Sequence, residues 1–455
     1  MSMNWEKLLY SGRLGIRPSK TEKGRSAFIS DQDKIIFSGA FRRLARKTQV
    51  HPLATNDHIH NRLTHSLEVA CVGRSLGSLV GKKLESDGNL PETISSGDIG
   101  EIVKATCLAH DIGNPPFGHT GEEAIRSWFN NEGAEYLKEL RPCEANDLKT
   151  FEGNAQGLRI LTSVENHLND GGMRLTYATL ASFIKYPWTS LPSTDGQRPK
   201  RNKYGVFTSE LDIFNEISNA TGLMKNDGDD WYARHPLVHL MESADDFCYG
   251  ILDLEDGLEM NILKWDDIFE ILKPVLKING NDISDLENDL GKMNYGRKMP
   301  ILRGKVIGAY VEAAADAFIR HEKQYLNGDP TSLIDLCVSD VKNSVYKAKE
   351  IAKDVIFNHP RKIELEIGSY NVISTLLNVM CEAALEWSND ANKMSFRSQR
   401  VMDLIGTNTF HPGIRENNNK LSKNYLVLLR VIDFVSGMTD NYATFLAKQF
   451  NGMGI

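Results

Sequence analysis

The 455-residue sequence lacks the features that mark membrane, secreted and zinc-ribbon proteins. No apolar run approaches the roughly 20 residues needed to cross a bilayer. The opening residues, MSMNWEKLLYSGRLG, contain no apolar stretch of the kind found in secretory signals. The six cysteines are scattered without a CxxC spacing, so neither a disulfide framework nor a zinc knuckle is indicated. We therefore expect a cytoplasmic protein without membrane contact.

The sequence is also poor in positive charge and in strand patterns. A net charge of −7 argues against a protein that coats nucleic acid non-specifically, so an anionic ligand would need a local basic cluster. No alternating apolar pattern is strong enough to predict a sheet, and no internal repeat is present, whereas helical periodicity recurs along the chain. These patterns predict an all-α fold.

The most informative stretch is LAHDIGNPPFGHTGEE, residues 108–123. His110 and Asp111 end an apolar run spaced like one face of a helix. Gly113, Asn114 and two prolines follow, so the helix is predicted to end near Asp111. A neutral imidazole and a carboxylate at a frayed helix end suit a divalent metal such as Mn, Fe, Co or Zn. A lone His-Asp pair is commonly coincidental, but this loop and a second His/Glu pair favour a site.

That second pair is His119 and Glu122, which are three residues apart and therefore on one face of the next helix. Thr120 and Glu123 resemble a capping box, which predicts that this helix is capped at Thr120. With Glu122 beside it, His119 could be held as an oriented, chargeable imidazole. The pair therefore predicts a general acid.

Two further predicted helices could supply ligands. His65 lies in the amphipathic NRLTHSLEV stretch, where a single histidine is more often a core residue, although a metal needs ligands from other helices. In ESADDFCYGILDLEDG, Asp245, Tyr249 and Asp253 are spaced i, i+4 and i+8 and so share one face. This spacing selects Asp245 for the site and leaves Asp246 for a supporting contact or an ion pair.

The ligand candidates come from three helices: His65, His110, Asp111 and Asp245. Two histidines and two carboxylates leave coordination positions for water and substrate. Such a site suits phosphate-ester hydrolysis, in which the metal orients the phosphoryl group and offsets developing charge. Three basic side chains could neutralise a polyphosphate: Arg62, Lys185 and Lys203.

Six strings within residues 25–260 resemble the HD-domain phosphohydrolases, and specifically the deoxynucleoside triphosphate triphosphohydrolases of the dGTPase family. They are FSGAFRRLARKTQV, NRLTHSLEV, LAHDIGNPPFGHTGE, FEGNAQGLRIL, LTYATLASFIKYPW and ESADDFCYGILDLEDG. Together they are far more specific than an HD dipeptide, and the C-terminal half resembles the family less distinctly. We expect an HD-domain helical core over residues 1–260 and a helical C-terminal region, 261–455, packed on it.

The resemblance implies that a dNTP, with dGTP favoured, is cleaved to a deoxynucleoside and intact tripolyphosphate by water attack at the α-phosphorus. The metal ligands that it implies are His65, His110, Asp111 and Asp245. Mn or Mg is the expected metal, with Fe, Co or Zn as alternatives. His119 and Glu122 match the catalytic pair, with His119 protonating the departing 5′ oxygen. A homo-oligomer, tetrameric or hexameric, is also implied, and a dNTP or single-stranded DNA effector is left open.

The resemblance also assigns substrate contacts, position by position. They are Gln49 and Val50 at the deoxyribose 3′ side, where they leave no room for a 2′-hydroxyl; Arg62, Lys185, Tyr186 and Lys203 at the phosphates; Asn154 near the metal and phosphates; and Tyr249 and Asp253 at the sugar. In less distinctive sequence, Glu366 and Arg400 resemble nucleobase or subunit-interface residues.

Two other functions share parts of this pattern. An HD phosphohydrolase of another nucleotide, such as a 5′-nucleotidase or an alarmone hydrolase, would use the same ligands. Product analysis separates it, since only the favoured reaction releases tripolyphosphate in one step. A non-catalytic regulator that binds nucleotide or single-stranded DNA would not need His119 and Glu122. The complete set of ligands and acid therefore favours an enzyme.

Overall fold

The computed structural model describes residues 2–16, 25–49, 60–166, 171–192, 203–226, 231–278, 282–356, 360–406 and 420–454. Within these ranges the chain is helical and has no β-strand, only isolated bridges. The predicted all-α fold is confirmed. Across the same ranges, none of the helices combines the length and hydrophobicity that a bilayer crossing requires.

The helices fall into two groups along the chain. The first group is α1 Trp5–Leu8, α2 Ala27–Ile36, α3 Gly39–Arg43, α4 Arg62–Ser86, α5 Ser96–Ala109, α6 Gly118–Asn130, α7 Pro142–Lys149, α8 Gly153–Arg159, α9 Tyr177–Phe183, α10 Leu211–Thr221 and α11 Pro236–Glu259. The second is α12 Trp265–Leu276, α13 Ser284–Gly291, α14 Tyr295–Leu326, α15 Leu333–Leu336, α16 Ser339–Ile351, α17 Pro360–Asp390, α18 Phe396–Ile405, α19 Lys423–Ser436 and α20 Asp440–Phe450. Every metal-ligand candidate lies on α4 or α11 or directly after α5.

Helices α4 and α5 approach closely because glycines on α4 face the backbone of α5. A Cβ added at Gly77 would lie 2.9 Å from Gly100 Cα, and one added at Gly81 would lie 2.2 Å from the Ser96 carbonyl oxygen. Both distances are too short for a larger residue, so glycine is required at these contacts. This close packing sets His65 of α4 beside the end of α5.

Buried hydrophobic side chains form two clusters. One joins α2, α4, α5 and α11 to α12, α14 and α16, and the other joins α6 and α7 to α17, α18, α19 and α20. Helices from both sides of residue 260 therefore share each cluster. The domain division at that residue stays a prediction.

The start of α6 differs from the prediction. The helix begins at Gly118, and its N-cap is Phe117, with φ 64° and no side-chain cap. The predicted capping box at Thr120 was wrong, because the chain turns into the helix through the left-handed backbone of Phe117 and Gly118. This turn brings His119 into the first turn of α6.

Candidate active site

His110 and Asp111 lie directly after α5, where the sequence predicted the helix to end. The His110 ring donates from Nδ1 to the carbonyl of Cys107 at 2.6 Å, which leaves Nε2 as the nitrogen available for a ligand bond. Nε2 lies 3.6 Å from Asp111 Oδ2 and 3.6 Å from Asp245 Oδ1. His110 thus presents one nitrogen to two carboxylates.

His65 and Asp245 complete the centre from α4 and α11. His65 Nε2 lies 3.0 Å from Asp245 Oδ1, and single ligand atoms of His65, His110 and Asp245 all lie within 4.8 Å of one another. Burial would lower the pKa of His65, but the hydrogen bond to Asp245 raises it. Burial would raise the pKa of Asp245, yet the two histidines lower it. A charged carboxylate between two imidazoles is a donor set that suits a divalent metal.

Asp111 lies beside this three-residue cluster without being part of it, and it offers a candidate fourth donor. Its Oδ1 accepts from Arg62 Nη1 at 2.9 Å and from Asn114 Nδ2 at 2.6 Å. Its Oδ2 is buried and has no hydrogen-bond partner among the described residues. A buried carboxylate oxygen left unpaired is costly unless a cation or proton binds there. The residues therefore fit a metal, with Asp111 Oδ2 as the oxygen left for it.

Asn114 should tune metal affinity through this contact. We expect Asn114→Ala to weaken Mn²⁺ binding about 10–100-fold, because Asp111 loses the donor that orients it. Isothermal titration calorimetry with Mn²⁺ measures the change. Asn131→Ala is the control, since the exposed Asn131 side chain donates to Ser127 near the end of α6 and does not line the cleft. Equal Mn²⁺ affinities for Asn114→Ala and Asn131→Ala would show that the hydrogen bond from Asn114 to Asp111 does not affect metal binding.

His119 and Glu122 form a hydrogen-bonded pair on α6, as their spacing predicted. His119 Nδ1 lies 2.9 Å from Glu122 Oε2, and the histidine side chain is 82% exposed while the glutamate is buried. The other Glu122 oxygen accepts from the N–H of Gly153 at 2.7 Å. Burial would raise the pKa of Glu122, but the bond from His119 and the charges of Lys203 and Arg126 lower it. Glu122 is thus a fixed, charged acceptor that leaves His119 Nε2 for a substrate.

Basic side chains surround the centre. Arg62 is buried beside Asp111, and its Nε has no hydrogen-bond partner within the described ranges. Lys185 Nζ lies 3.3 Å from a Glu242 oxygen. Burial would lower the pKa of Lys185, but Glu242 raises it, so the lysine stays charged. Arg62 and Lys185 both line the cleft and can meet phosphate oxygens there.

Lys203 lies near Glu122 but does not line the cleft. Its Nζ lies 2.9 Å from Glu152 Oε2 and 3.9 Å from Glu122 Oε2. Asn154, which does line the cleft, donates to the same Glu152 at 2.6 Å. The two predicted phosphate contacts are therefore tied together through Glu152.

Three of the four predicted sugar contacts fall within the described residues. Gln49 and Tyr249 line the cleft, and Gln49 Oε1 is buried without a hydrogen-bond partner among the described residues. Asp253 is buried one turn beyond Tyr249, and its Oδ2 also has no partner in those ranges. Burial and the charge of Asp256 raise the pKa of Asp253 to about 8. Gln49 and Tyr249 can therefore offer polar atoms to a molecule in the cleft, whereas Asp253 does not line it, and the sugar contacts stay predictions. Val50 lies outside the described residues.

Five predicted contacts among the described residues do not line the cleft. Two of them are Lys203 and Asp253, and the others are Tyr186, Glu366 and Arg400. Tyr186 is buried in an aromatic cluster, with its ring centroid 5.7 Å from that of Trp188. Glu366 pairs with Lys362 at 3.4 Å. Arg400 is 67% exposed and pairs with Asp403 of its own helix at 2.9 Å. The roles of Tyr186, Glu366 and Arg400 stay predictions, and the single chain does not bring the last two to the metal centre.

The sequence reasoning missed several supporting residues. Glu242 binds Arg234 through two bonds of 2.8 Å as well as Lys185, and Asn114 orients Asp111. Glu242 precedes Asp245 by three residues on α11, so helical spacing could have found it. Phe183 and Met241 line the cleft, but apolar side chains carry no sequence signal that separates a cleft from a core.

Asp245 and Asp246 behave as their spacing predicted. Asp245 faces the histidines, whereas Asp246 pairs with Lys349 of α16 at 2.7 Å. The ion pair for Asp246 was one of the two roles expected of it.

Comparison with known proteins places this geometry in a family. The HD domain family matches residues 62–198, and HD domains are metal-dependent hydrolases. A deoxyguanosinetriphosphate triphosphohydrolase-like protein of Pseudomonas aeruginosa is 48% identical over 99% of both chains. One of Synechocystis is 37% identical over the full length of both, and a deoxyguanosinetriphosphate triphosphohydrolase of Salmonella paratyphi A is 30% identical over 91% of this chain and 92% of its own. The chain therefore belongs to the HD-domain family of deoxyguanosinetriphosphate triphosphohydrolase-like proteins.

Proposed function

We propose that this chain hydrolyses a dNTP, with dGTP favoured, to a deoxynucleoside and tripolyphosphate. One observation carries the proposal: a single cleft holds the His65, His110 and Asp245 cluster together with the His119–Glu122 pair. The names of the relatives support a nucleotide substrate.

The four ligand candidates would hold Mn²⁺ or Mg²⁺, with Fe, Co or Zn as alternatives: His65, His110, Asp111 and Asp245. A divalent metal bound there supplies positive charge that orients the phosphoryl group and offsets charge developing on it. Arg62 and Lys185 bind the polyphosphate, which an acidic protein can attract only through such a local cluster. Asn154, which also lines the cleft, supplies a neutral donor.

The chemical step exchanges one bond at the α-phosphorus for another. The oxygen of water forms a bond to that phosphorus, and the bond from phosphorus to the 5′ oxygen breaks. His119 donates its proton to the departing 5′ oxygen, which leaves as the hydroxyl of the deoxynucleoside. The attacking water releases one proton to solvent, and His119 takes up one proton from solvent before the next turnover. Glu122 accepts from His119 Nδ1 and stabilises the protonated imidazole before transfer. The three phosphates leave joined, as tripolyphosphate.

The sugar end of the cleft should discriminate between deoxyribose and ribose. We expect kcat/KM for GTP to be about 10²-fold or more below that for dGTP, because the family resemblance assigns Gln49 and Val50 to a pocket that excludes a 2′-hydroxyl. Steady-state kinetics with both nucleotides measure the ratio. Gln49→Ala should lower the ratio of kcat/KM for dGTP to kcat/KM for GTP. Similar kcat/KM values for the two nucleotides in the wild type would refute discrimination against the 2′-hydroxyl.

The proposed reaction is tested by incubating the purified protein with each of the four dNTPs and Mn²⁺ and resolving the products. Tripolyphosphate and deoxynucleoside in equal amounts support it. Release of pyrophosphate or single phosphate would instead indicate another nucleotide phosphohydrolase. Binding without turnover would indicate a regulator.

We also propose that the chain forms a homo-oligomer in which Glu366 and Arg400 contact a neighbouring copy or the nucleobase bound there. Arg400 is largely exposed in the single chain, and Glu366 is only partly buried. Mass photometry of the purified protein reads the assembly directly, and a monomer at working concentration would refute it.

A further inference from the structure

Asp440 links the C-terminal helices to two segments that lead into the cleft, one through each carboxylate oxygen. We call these segments the Gln49 wall and the His119 wall, after the cleft residue that each one carries. It is the first residue of α20 and is buried. Oδ2 accepts from the backbone N–H of Thr48 at 2.9 Å and from the Thr48 hydroxyl at 2.6 Å. Oδ1 accepts from the backbone N–H of Phe117 at 3.0 Å. One side chain therefore joins two segments that are far apart in the sequence.

Thr48 belongs to the wall that carries Gln49. It forms an antiparallel bridge with Asn61, and the N–H of Arg62 donates to the carbonyl of Lys47 at 3.1 Å. The segment thus runs alongside the start of α4, where Arg62 enters the cleft. A shift of Thr48 would move Gln49 relative to Arg62, and hence the sugar wall relative to a phosphate contact.

Phe117 belongs to the wall that carries His119. The φ angles of Phe117 and Gly118 are 64° and 58°, a left-handed conformation that is sterically unfavourable for a phenylalanine. α6 has no side-chain cap of its own, so Asp440 supplies the acceptor for this N–H at the helix start. Because the His119 side chain is 82% exposed, the backbone before it largely decides where the imidazole lies.

Lys47 binds the beginning of the loop that joins Asp111 to His119, whereas Asp440 binds its end at Phe117. Its buried Nζ donates to the carbonyl of Asn114 at 2.5 Å and to the carbonyl of Ser436, the last residue of α19, at 2.6 Å. Asn114 in turn orients Asp111. The loop between the metal ligand and the acid is therefore anchored at both ends against the C-terminal helices.

We propose that Asp440 is a positioning residue for the reaction, which holds the Gln49 wall and the His119 wall at a fixed separation without touching substrate. The inference rests on the proposed function. It gives the C-terminal region a part in catalysis, although none of the strings that resemble the dGTPase family reaches residue 440.

Asp440→Asn tests the proposal with little change in volume. Thr48 and Phe117 donate to different oxygens of Asp440, and an asparagine replaces one of these oxygens by an NH2 group, so one of the two backbone N–H groups would face a donor. We expect kcat to fall roughly 10–100-fold through misplacement of His119, with Mn²⁺ content unchanged. Amide hydrogen exchange of the Thr48 or Phe117 segment should accelerate about 5–10-fold, as expected for one lost hydrogen bond.

Glu144→Gln is the matched control. Glu144 of α7 accepts from the N–H of Ser422 at 2.8 Å and from its hydroxyl at 2.5 Å. It therefore links α7 to the segment before α19 by the same kind of contact, but it does not line the cleft. Its kcat and the exchange of the Thr48 and Phe117 segments should stay within about twofold of wild type, even if its stability falls as far as that of Asp440→Asn.

The outcomes separate this inference from the proposed function. If the wild-type protein turns over no dNTP, the proposed function is refuted. In that case the inference is judged by hydrogen exchange alone, and it is refuted if exchange of the Thr48 and Phe117 segments is the same in Asp440→Asn as in wild type. An active wild type with unchanged kcat in Asp440→Asn, or an equal loss in Glu144→Gln, also overturns it. If Asp440→Asn does not fold, Thr48→Val takes its place: it should raise the KM for dGTP severalfold with kcat nearly constant, and an unchanged KM refutes the proposal.

Discussion

Replacing His119 by alanine is expected to lower kcat roughly 10²–10⁴-fold, the usual range for a general acid. A 5′ alkoxide is a poor leaving group, so its protonation should limit the reaction. His119 lies 2.9 Å from buried, charged Glu122 and is itself exposed to the cleft, so it is held where it can donate. Metal content and equilibrium dGTP binding should stay nearly unchanged, because His119 is outside the ligand cluster.

Glu122→Gln is the companion variant and should lose less activity than His119→Ala. A glutamine keeps an oxygen for either His119 or Gly153 but removes the charge that stabilises the imidazolium. Turnover, metal content and dGTP binding are measured together for both variants. Near-normal turnover in His119→Ala would mean that another group protonates the 5′ oxygen.

Asp245→Ala is expected to abolish both bound metal and turnover. Asp245 Oδ1 lies 3.0 Å from His65 and 3.6 Å from His110, so its loss removes the only carboxylate within the compact cluster found in the described residues. His65 would lose the carboxylate that bonds to its Nε2, and His110 would keep only Asp111, at 3.6 Å. Elemental analysis after exposure to Mn²⁺ should find less than about one-tenth of the wild-type content, because metal binding depends on deprotonated ligands.

Asp246→Ala is the neighbouring control and should retain metal. Asp246 pairs with Lys349 at 2.7 Å, so its removal costs an ion pair between α11 and α16 rather than a ligand. Its effect should therefore appear in thermal stability. Metal loss in Asp246→Ala with retention in Asp245→Ala would reverse the assignment.

Local sequence was sufficient for the parts of the site that lie on one helix. The i, i+3 spacing of His119 and Glu122 predicted a contact that the structure confirms at 2.9 Å. The i, i+4 spacing of Asp245 and Tyr249 selected, from two adjacent aspartates, the one that lines the cleft. Such predictions succeed because the period of a helix fixes which side chains share a face.

The start of α6 was predicted wrongly for a tertiary reason. Thr120 and Glu123 have the residue types of a capping box, and local propensity favours a helix that starts there. In the folded chain, Asp440 accepts the N–H of Phe117, and that contact from the C-terminal region favours an earlier, left-handed turn. No pattern in residues 108–123 encodes a partner that lies 323 positions away.

By itself the sequence determined an all-α fold, the candidate donors on their helices, and the family to which the chain belongs. Tertiary structure alone decided which atoms meet: that Asp111 Oδ1 is held by Arg62 and Asn114 while Oδ2 stays unpaired among the described residues, and that Lys185 is kept charged by Glu242. It also left Glu366 and Arg400 away from the cleft. The physical reason is that helical periodicity orients a side chain only about its own axis. The distances between helices depend on close contacts such as Gly81 against Ser96, and these form only when the whole core packs.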